Sequence, residues 1–440
     1  MSRFDNYKTI IRLAIPIILA NASAPLLGLV DTTTIGQTGT AADLGAIALA
    51  TLVFSFVYWT FGFLRMGTTG FIAQANGRED REEVISVVYR SVLLGLIIGV
   101  LLILFQYFIG NLAIWLMSAS QEVKALVKEY FYIRIWGAPA TLITYALLGS
   151  LIGMGWTRQL LWVQLLLNGA NILLNIVFVI GFKMGIKGIA LGTLLAEWMA
   201  LFYAWYLLSK HLKLTQPLQQ LRNLWHRIID RVQMTAIFKV NSDIMIRTFA
   251  LLSGFAWFAD QGAKFGDTTL AANHVLLQFV SMSAFFLDGF AHVSEMLSGK
   301  SIGAKDKVGF LKQIKESTLL AGFTAAFLGL AIIFLAPHMI SIITKESQVQ
   351  QIAQDYAVFA GIYILFSFVA FQLDGIFIGA TRSKEMRNAS IISLLVLIGI
   401  GLILTSLWDN TGLWLAFIIY IIARGTSLGL YMPKLIREIF

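Results

Sequence analysis

Twelve apolar stretches, each long enough to cross a bilayer, follow one another along the chain, and no other feature limits its fold so strongly. They fall at about 10–34, 44–71, 84–109, 126–153, 159–181 and 187–209. After a polar stretch they resume at about 235–262, 269–297, 314–336, 350–378, 388–408 and 411–432. A helix needs about 20 apolar residues to span roughly 30 Å of hydrocarbon, and within lipid every backbone polar group must be satisfied internally. The expected fold class is therefore an all-α integral membrane protein with twelve transmembrane helices. With 58% hydrophobic residues, 13% charged residues and a mean hydropathy of +0.77, no separate soluble domain is expected. The first segment lacks a small-x-small cleavage site, so it is expected to stay in the protein.

An even number of helices puts both termini on one side, and lysine and arginine decide which. Loops on the side of the N-terminus carry twenty-two of them, from Arg3, Lys8 and Arg12 to Lys434 and Arg437. The opposite loops hold six: Lys124, Lys128, Lys183, Lys187, Lys264 and Lys345. The excess predicts cytoplasmic termini and a multi-pass protein of the inner (plasma) membrane. The net charge of +9 is thus a record of topology, and no nucleic-acid partner is expected.

The chain reads as two copies. A shift of 226 residues superposes Gly28 on Gly254, Gly36 on Gly262, Gly77 on Gly303, Gly149 on Gly375 and Gly153 on Gly379. Asp80 falls on Asp306 and Tyr130 on Tyr356. Copies with an even number of helices lie parallel, so two six-helix lobes related by a pseudo-two-fold axis along the membrane normal are expected. They would be an N-lobe over 1–209 and a C-lobe over 235–440. The linker, 210–234, repeats Leu214, Leu218, Leu221, Trp225, Ile228 and Val232 at helical spacing among basic residues. That pattern predicts one amphipathic helix on the inner membrane surface, attracted to membrane lipids.

Polar residues within the apolar stretches mark the candidate sites. Asp31 lies 21 residues beyond Ile10, about 30 Å up a helix and so in the outer half of the bilayer. A carboxylate at hydrocarbon depth costs about 2.5–3.5 kcal/mol, so it should face protein or water. An interfacial helix cap is the bland alternative. Asn171 and Asn175 share a face of the fifth helix, and Thr193 on the sixth reaches the same level, so the four can converge. Glu197, one turn deeper, is placed to join them or to pair with Arg65. Pro16 and Pro25 allow the first helix to bend, because each removes a backbone hydrogen bond. In the second half Arg247, Asp288, Asp374 and Arg424 form a neutral quartet in the middle or inner half, either a structural ion-pair core or a part of coupling. His292 and Glu295 are expected near the inner interface and solvated.

No catalytic cluster, metal-ligand spacing or Walker sequence accompanies these residues, and the chain has no cysteine. No enzyme activity, cofactor or metal is expected, which leaves an ion gradient as the energy source.

The stretches Pro25-Leu-Leu-Gly-Leu-Val-Asp31-Thr32, Leu64-Arg65-Met-Gly-Thr-Thr-Gly70, Leu287-Asp288-Gly-Phe290, Leu373-Asp374-Gly-Ile-Phe-Ile-Gly-Ala-Thr-Arg382 and Met386-Arg387-Asn388 resemble the multidrug and toxic-compound extrusion (MATE) family, in its DinF-like branch. The resemblance spans nearly the whole chain. It implies a twelve-helix, two-lobed exporter that exchanges protons or sodium for organic cations. It also implies a first helix bent at Pro16, and an N-lobe site lined by Asp31, Asn171, Thr193 and the residue at 175. Archaeal relatives carry an aspartate where this chain has Asn175, which leaves Asp31 as the one titrating group of that lobe.

The expected function is a secondary antiporter, acting as a monomer, that exports amphipathic, mostly cationic compounds by alternating access. Asp31 would hold a proton while the site is dry and release it when water or a cation enters. The first rival, a flippase for a lipid-linked precursor, calls for several cationic residues along the cavity, whereas the deep bases here have acids nearby. The second rival, a membrane enzyme, lacks its catalytic cluster.

Overall fold

Helix-breaking turns and capping side chains divide the chain where the polar loops interrupt its apolar stretches. The computed structural model describes residues 3–38, 40–117, 119–214 and 217–440, and side chains for all of these except 3–5, 24–32, 36–38, 41 and 218. Among the described residues there is no strand. The first half holds α1 (Arg3–Thr38), α2 (Ala41–Thr60), α3 (Phe63–Gly77), α4 (Arg81–Leu104), α5 (Gln106–Leu116), α6 (Gln121–Arg134), α7 (Ala138–Gly153), α8 (Thr157–Asn175) and α9 (Gly185–His211). The short α10 (Pro217–Asn223) and α11 (Trp225–Ile228) follow. The second half holds α12 (Arg231–Ala263), α13 (Asp267–Gly303), α14 (Lys307–Ile343), α15 (Ser347–Gly379), α16 (Ser383–Gly429) and α17 (Met432–Ile439). Nine stretches among the described residues are long and apolar enough to cross a membrane.

Irregularities fall inside several spans. A turn at Phe61–Gly62 separates α2 from α3, a 3₁₀ turn at Ile135–Gly137 joins α6 to α7, and a π-helix over Ile176–Gly181 continues α8. Such departures from α geometry often mark functional positions. α16 leaves helical geometry at Trp408 and Asp409, so it is two helices across a kink. α1 runs unbroken through Pro16, which is buried, and Pro25, whose ring is outside the described side chains.

The helices gather into two units. One comprises Leu19–Ile72 and Asp80–Ile237. In it α4 lies so close to α7 that a Cβ on Gly99 would overlap the backbone of Pro139. The other comprises Met1–Ile18, Ala73–Glu79 and Phe238–Phe440. Its core is aromatic: Tyr363 stacks on Phe417 at 4.5 Å, and Phe258 meets Trp414 edge-on at 5.0 Å.

Backbone devices recur at the 226-residue offset. Glu79 and Lys305 both adopt positive φ (59° and 55°), as do Gly155 and Thr381 (78° and 55°) and Lys183 and Asp409 (53° and 45°). Asp80 caps α4 by accepting from the Glu83 amide at 3.0 Å, and Asp306 caps α14 by accepting from the Gly309 amide at 2.8 Å. A Cβ on Gly149 would overlap the carbonyl of Arg65, and one on Gly375 that of Ala291, which is 226 positions after Arg65. Gly77 and Gly303 are reciprocal: the first lies against Lys300, the second against Gln74, and 74 and 300 are themselves offset by 226.

The linker departs from the expectation of one amphipathic helix. It is broken at Leu224 and again at Ile229, giving two short pieces. Side chains of α4 donate to carbonyls of these two pieces. Arg90, 1% exposed, donates to the Arg227 carbonyl (3.0 Å) and pairs with Glu83 (2.9 Å), while Tyr89 donates to the Pro217 carbonyl (3.1 Å). Arg227 itself meets Glu82 at 3.0 Å and Asp80 at 3.6 Å. Its basic charge therefore serves docking to α4 as well as any lipid surface. Leu214 and Ile228 are buried, whereas Trp225 and Val232 remain exposed.

Candidate functional site

In the first unit a ladder of neutral polar groups is buried between α8 and α9. Asn175 donates through Nδ2 to Oδ1 of Asn171 (2.8 Å), and Asn171 donates to Oγ1 of Thr193 (2.8 Å). Their exposures are 0%, 1% and 5%. The four-residue spacing of the asparagines sets them one above the other on α8. Gly192 makes room for them, since a Cβ there would overlap Oδ1 of Asn175. Asn175 is also the last α-helical residue before the π-helix, where the wider turn alters the direction of the chain. Lower on α8, Asn168 donates to Oγ of Ser23 on α1 (2.6 Å). The sequence pattern singled out the asparagines and Thr193. It missed Ser23 and Gly192, whose roles depend on how neighbouring helices are rotated. Asp31 lies on α1, and its side chain is outside the described residues.

Glu197 does not join this ladder or pair with Arg65; it meets Arg134 at 3.6 Å. The Arg134 guanidinium sits over the Phe54 ring (4.5 Å) and donates to the Tyr130 hydroxyl (3.0 Å). Gly137, in the 3₁₀ turn, leaves space for the Glu197 carboxylate, which a Cβ would overlap. The kink between α6 and α7 thus brings Arg134 to Glu197, a relation that loop counting could not reveal.

In the second unit the expected quartet is a trio. Arg247 on α12 and Arg424 on α16 both donate to Oδ2 of Asp374 on α15. Asp288 is half-buried on α13 and has an interaction of its own. His292 and Glu295, expected to be solvated, are instead 4% and 1% exposed and bond to each other at 3.0 Å. Asp243, also on α12, pairs with Arg387 (2.6 Å) and accepts from Ser383 (3.1 Å). A buried network that the sequence pattern did not flag joins Ser294, Ser317 and Gln372: Ser294 donates to the Gln372 carbonyl oxygen at 2.5 Å and Ser317 to the same atom at 3.2 Å.

Long apolar helices that bury a few polar groups define a multi-pass membrane protein. The family comparison gives that class a name: the MatE family model matches residues 16–177 and 262–404, and the chain belongs to this family of transporters. It is 33% identical to the DNA damage-inducible protein F of Escherichia coli (strain K12), over 96% of this chain and 91% of that one. It is 25% identical to the multidrug resistance protein NorM of Vibrio cholerae, over 96% and 93%. Among solved structures it superposes with a TM-score of 0.86 on the outward-facing conformation of a multidrug resistance MATE family transporter of the MOP superfamily. The match covers 99% of this chain and 96% of that one at 20% identity.

Proposed function

We propose that the protein is a secondary active multidrug efflux antiporter of the inner membrane that exports amphipathic, mostly cationic compounds in exchange for protons or sodium. In this reading twelve helices cross the membrane: α1, α2 with α3, α4 with α5, α6 with α7, α8 and α9 in the N-lobe (1–209), and α12 to α15 with both parts of α16 in the C-lobe (235–440). The residues 210–234 join the lobes. A pseudo-two-fold axis along the membrane normal relates them, both termini are cytoplasmic, and the protein acts as a monomer. The recurrence of capping, positive φ and glycine contacts at one offset supports the repeat.

The observation that carries the functional reading is the buried Asn175–Asn171–Thr193 ladder, which we assign, with Asp31, to the substrate and proton (or sodium) site. Two facts support that grouping. Asn168 holds Ser23, and from that contact Asp31 is eight residues on along α1 and Asn175 seven residues on along α8, rises of about 12 Å and about 10 Å. The residues offset by 226 from Asp31 and Asn175 are Trp257 and Gly401, and these two are packed so closely that a Cβ on Gly401 would overlap the Trp257 ring.

Asp31 is then the titrating group, and the neutral amides position its proton, a cation or water without competing for the charge. Bending of α1 at Pro16, and at Pro25, would move Asp31 between a dry and a wet setting, and so couple proton release to substrate entry. The Arg247–Asp374–Arg424 trio, with Asp288 nearby on α13, is assigned to holding the C-lobe helices in register. Reconstituted protein tests the whole reading. A fluorescent organic cation should leave proteoliposomes against its gradient when a pH or a sodium gradient is imposed separately. Absence of cation movement under either gradient would overturn it.

A further inference from the structure

The N-terminal parts of α1 and α14 flank an open cavity of about 520 Å³ lined by Tyr7, Leu311, Lys312, Lys315 and Glu316. Glu316 is 4% exposed, and its Oε2 has no hydrogen-bond partner. Lys312 precedes it by four residues on the same helical face, yet no ion pair within 4.0 Å joins either lysine to it among the described residues. A bare carboxylate oxygen calls for a hydrogen-donating cation, and two unpaired ammonium groups beside it call for an anion. A ligand carrying only one sign of charge satisfies one side and is repelled by the other. A zwitterion with a primary ammonium and a phosphate satisfies both.

The level of the cavity says where such a ligand comes from. One turn beyond Lys315 begins an exposed apolar stripe on α14: Leu319 (42%), Phe323 (73%), Phe327 (72%) and Leu330 (52%). On α1 the exposed Ile11 (39%) and Ile15 (49%) lie one and two turns above Tyr7. The cavity therefore opens at the edge of the apolar belt, where a headgroup sits and acyl chains can follow both stripes. It lies on the side that the lysine excess assigns to the cytoplasm.

We propose that this cavity binds the headgroup of an aminophospholipid of the inner leaflet, phosphatidylethanolamine in kind. Its ammonium meets Glu316, its phosphate lies between Lys312 and Lys315 within reach of the Tyr7 hydroxyl, and its chains lie on the stripes beyond. Choline lipids fit poorly because a trimethylammonium group cannot donate a hydrogen bond to Glu316. Anionic lipids fit poorly because the carboxylate repels them.

The test is thermal unfolding of the full chain in detergent, followed by tryptophan fluorescence while dihexanoyl phosphatidylethanolamine, phosphatidylcholine or phosphatidylglycerol is added. The ethanolamine lipid should protect at about tenfold lower concentration than the choline lipid, the loss of one charged hydrogen bond. Glu316→Gln should erase that difference while keeping the choline response, and Lys312→Gln with Lys315→Gln should weaken both. Equal protection by ethanolamine and choline lipids in the unmodified protein, or an ethanolamine preference that survives Glu316→Gln, overturns the proposal. A phosphatidylglycerol response as strong as that of the ethanolamine lipid reduces the site to surface lysines and overturns it too. So does soluble phosphoethanolamine acting as well as the lipid, because the acyl chains would then contribute nothing.

Discussion

Asp374→Asn should damage the protein far more than Arg424→Gln or Arg247→Gln, although each change removes one charge from the same buried trio. Asp374 is 5% exposed, Arg247 8% and Arg424 6%, so water cannot substitute for a lost partner. The trio carries one positive charge in excess. Arg424→Gln brings it to neutrality and leaves the Arg247–Asp374 pair whole. Its cost is the lost hydrogen bond to a charged group, about 1.5–3 kcal/mol, reduced by relief of the repulsion between two guanidinium groups. Asp374→Asn raises the excess to two charges and strands both arginines. Breaking one buried pair this way typically costs about 3–5 kcal/mol, and here two pairs break together. Nε of both arginines already lacks an acceptor among the described residues. Combining Asp374→Asn with Arg424→Gln returns the excess to one charge and should recover part of the loss. Fluorescence-detected size exclusion after heating gives the midpoints, and the expected order is wild type, then Arg424→Gln, then the double variant, then Asp374→Asn. Equal losses for Asp374→Asn and Arg424→Gln, or a double variant no better than Asp374→Asn, would refute the charge-excess argument.

Asp31→Asn should leave a folded protein with little or no coupled export, because asparagine matches the carboxyl in shape but cannot titrate; wild-type efflux under a pH gradient would remove Asp31 from the mechanism. Asn175→Asp should place a second carboxyl beside Asp31, shift the pH optimum of transport upward and enhance a sodium response, since two carboxylates repel when both are ionised and hard cations prefer several oxygen ligands. A folded variant with an unchanged pH profile would show that the two positions do not face each other. For topology, single cysteines replacing His226 or Lys307 should react only with reagents on the cytoplasmic side and those replacing Lys264 or Lys345 only from outside, in a chain with no cysteine of its own. Labelling of Lys264→Cys from the inside alone would sink the twelve-helix reading.

What the sequence made legible follows a physical division. Helix existence and order were readable because each span is a long apolar run closed by polar loops. The break inside α16 at Trp408–Asp409 lies just where the apolar stretches ending at 408 and beginning at 411 divide. Vertical position was readable as well, because a helix rises evenly, and Asn171, Asn175 and Thr193 do meet. Rotation was not. Whether Asp288 or its neighbours face the trio, and whether Glu197 meets Thr193 or Arg134, depends on angles of about 100° per residue, and a 3₁₀ turn or a π-helix resets these without changing the apolar pattern. His292 and Glu295 failed as solvated residues for a related reason: proximity to a loop does not decide which side of a helix is covered.

The offset of 226 residues separates scaffold from chemistry. What recurs at that offset is backbone: the caps at Asp80 and Asp306, the positive φ at Glu79 and Lys305, the glycine approaches at Gly149 and Gly375. The polar groups do not recur. Asp31, Asn171, Asn175 and Thr193 fall on Trp257, Leu397, Gly401 and Ile419, and in the other direction Asp374 and Arg424 fall on Leu148 and Trp198. Turns and close approaches that recur in both halves, while ionisable groups stand at non-equivalent positions, argue against the same chemistry in each half. The buried ladder of the first half, Asn175, Asn171 and Thr193, is made of neutral groups. Asp374, by contrast, is held by Arg247 and Arg424. If the first half holds the proton or cation site as proposed, a charge-changing substitution should alter coupling there, whereas in the trio of the second half it should alter folding.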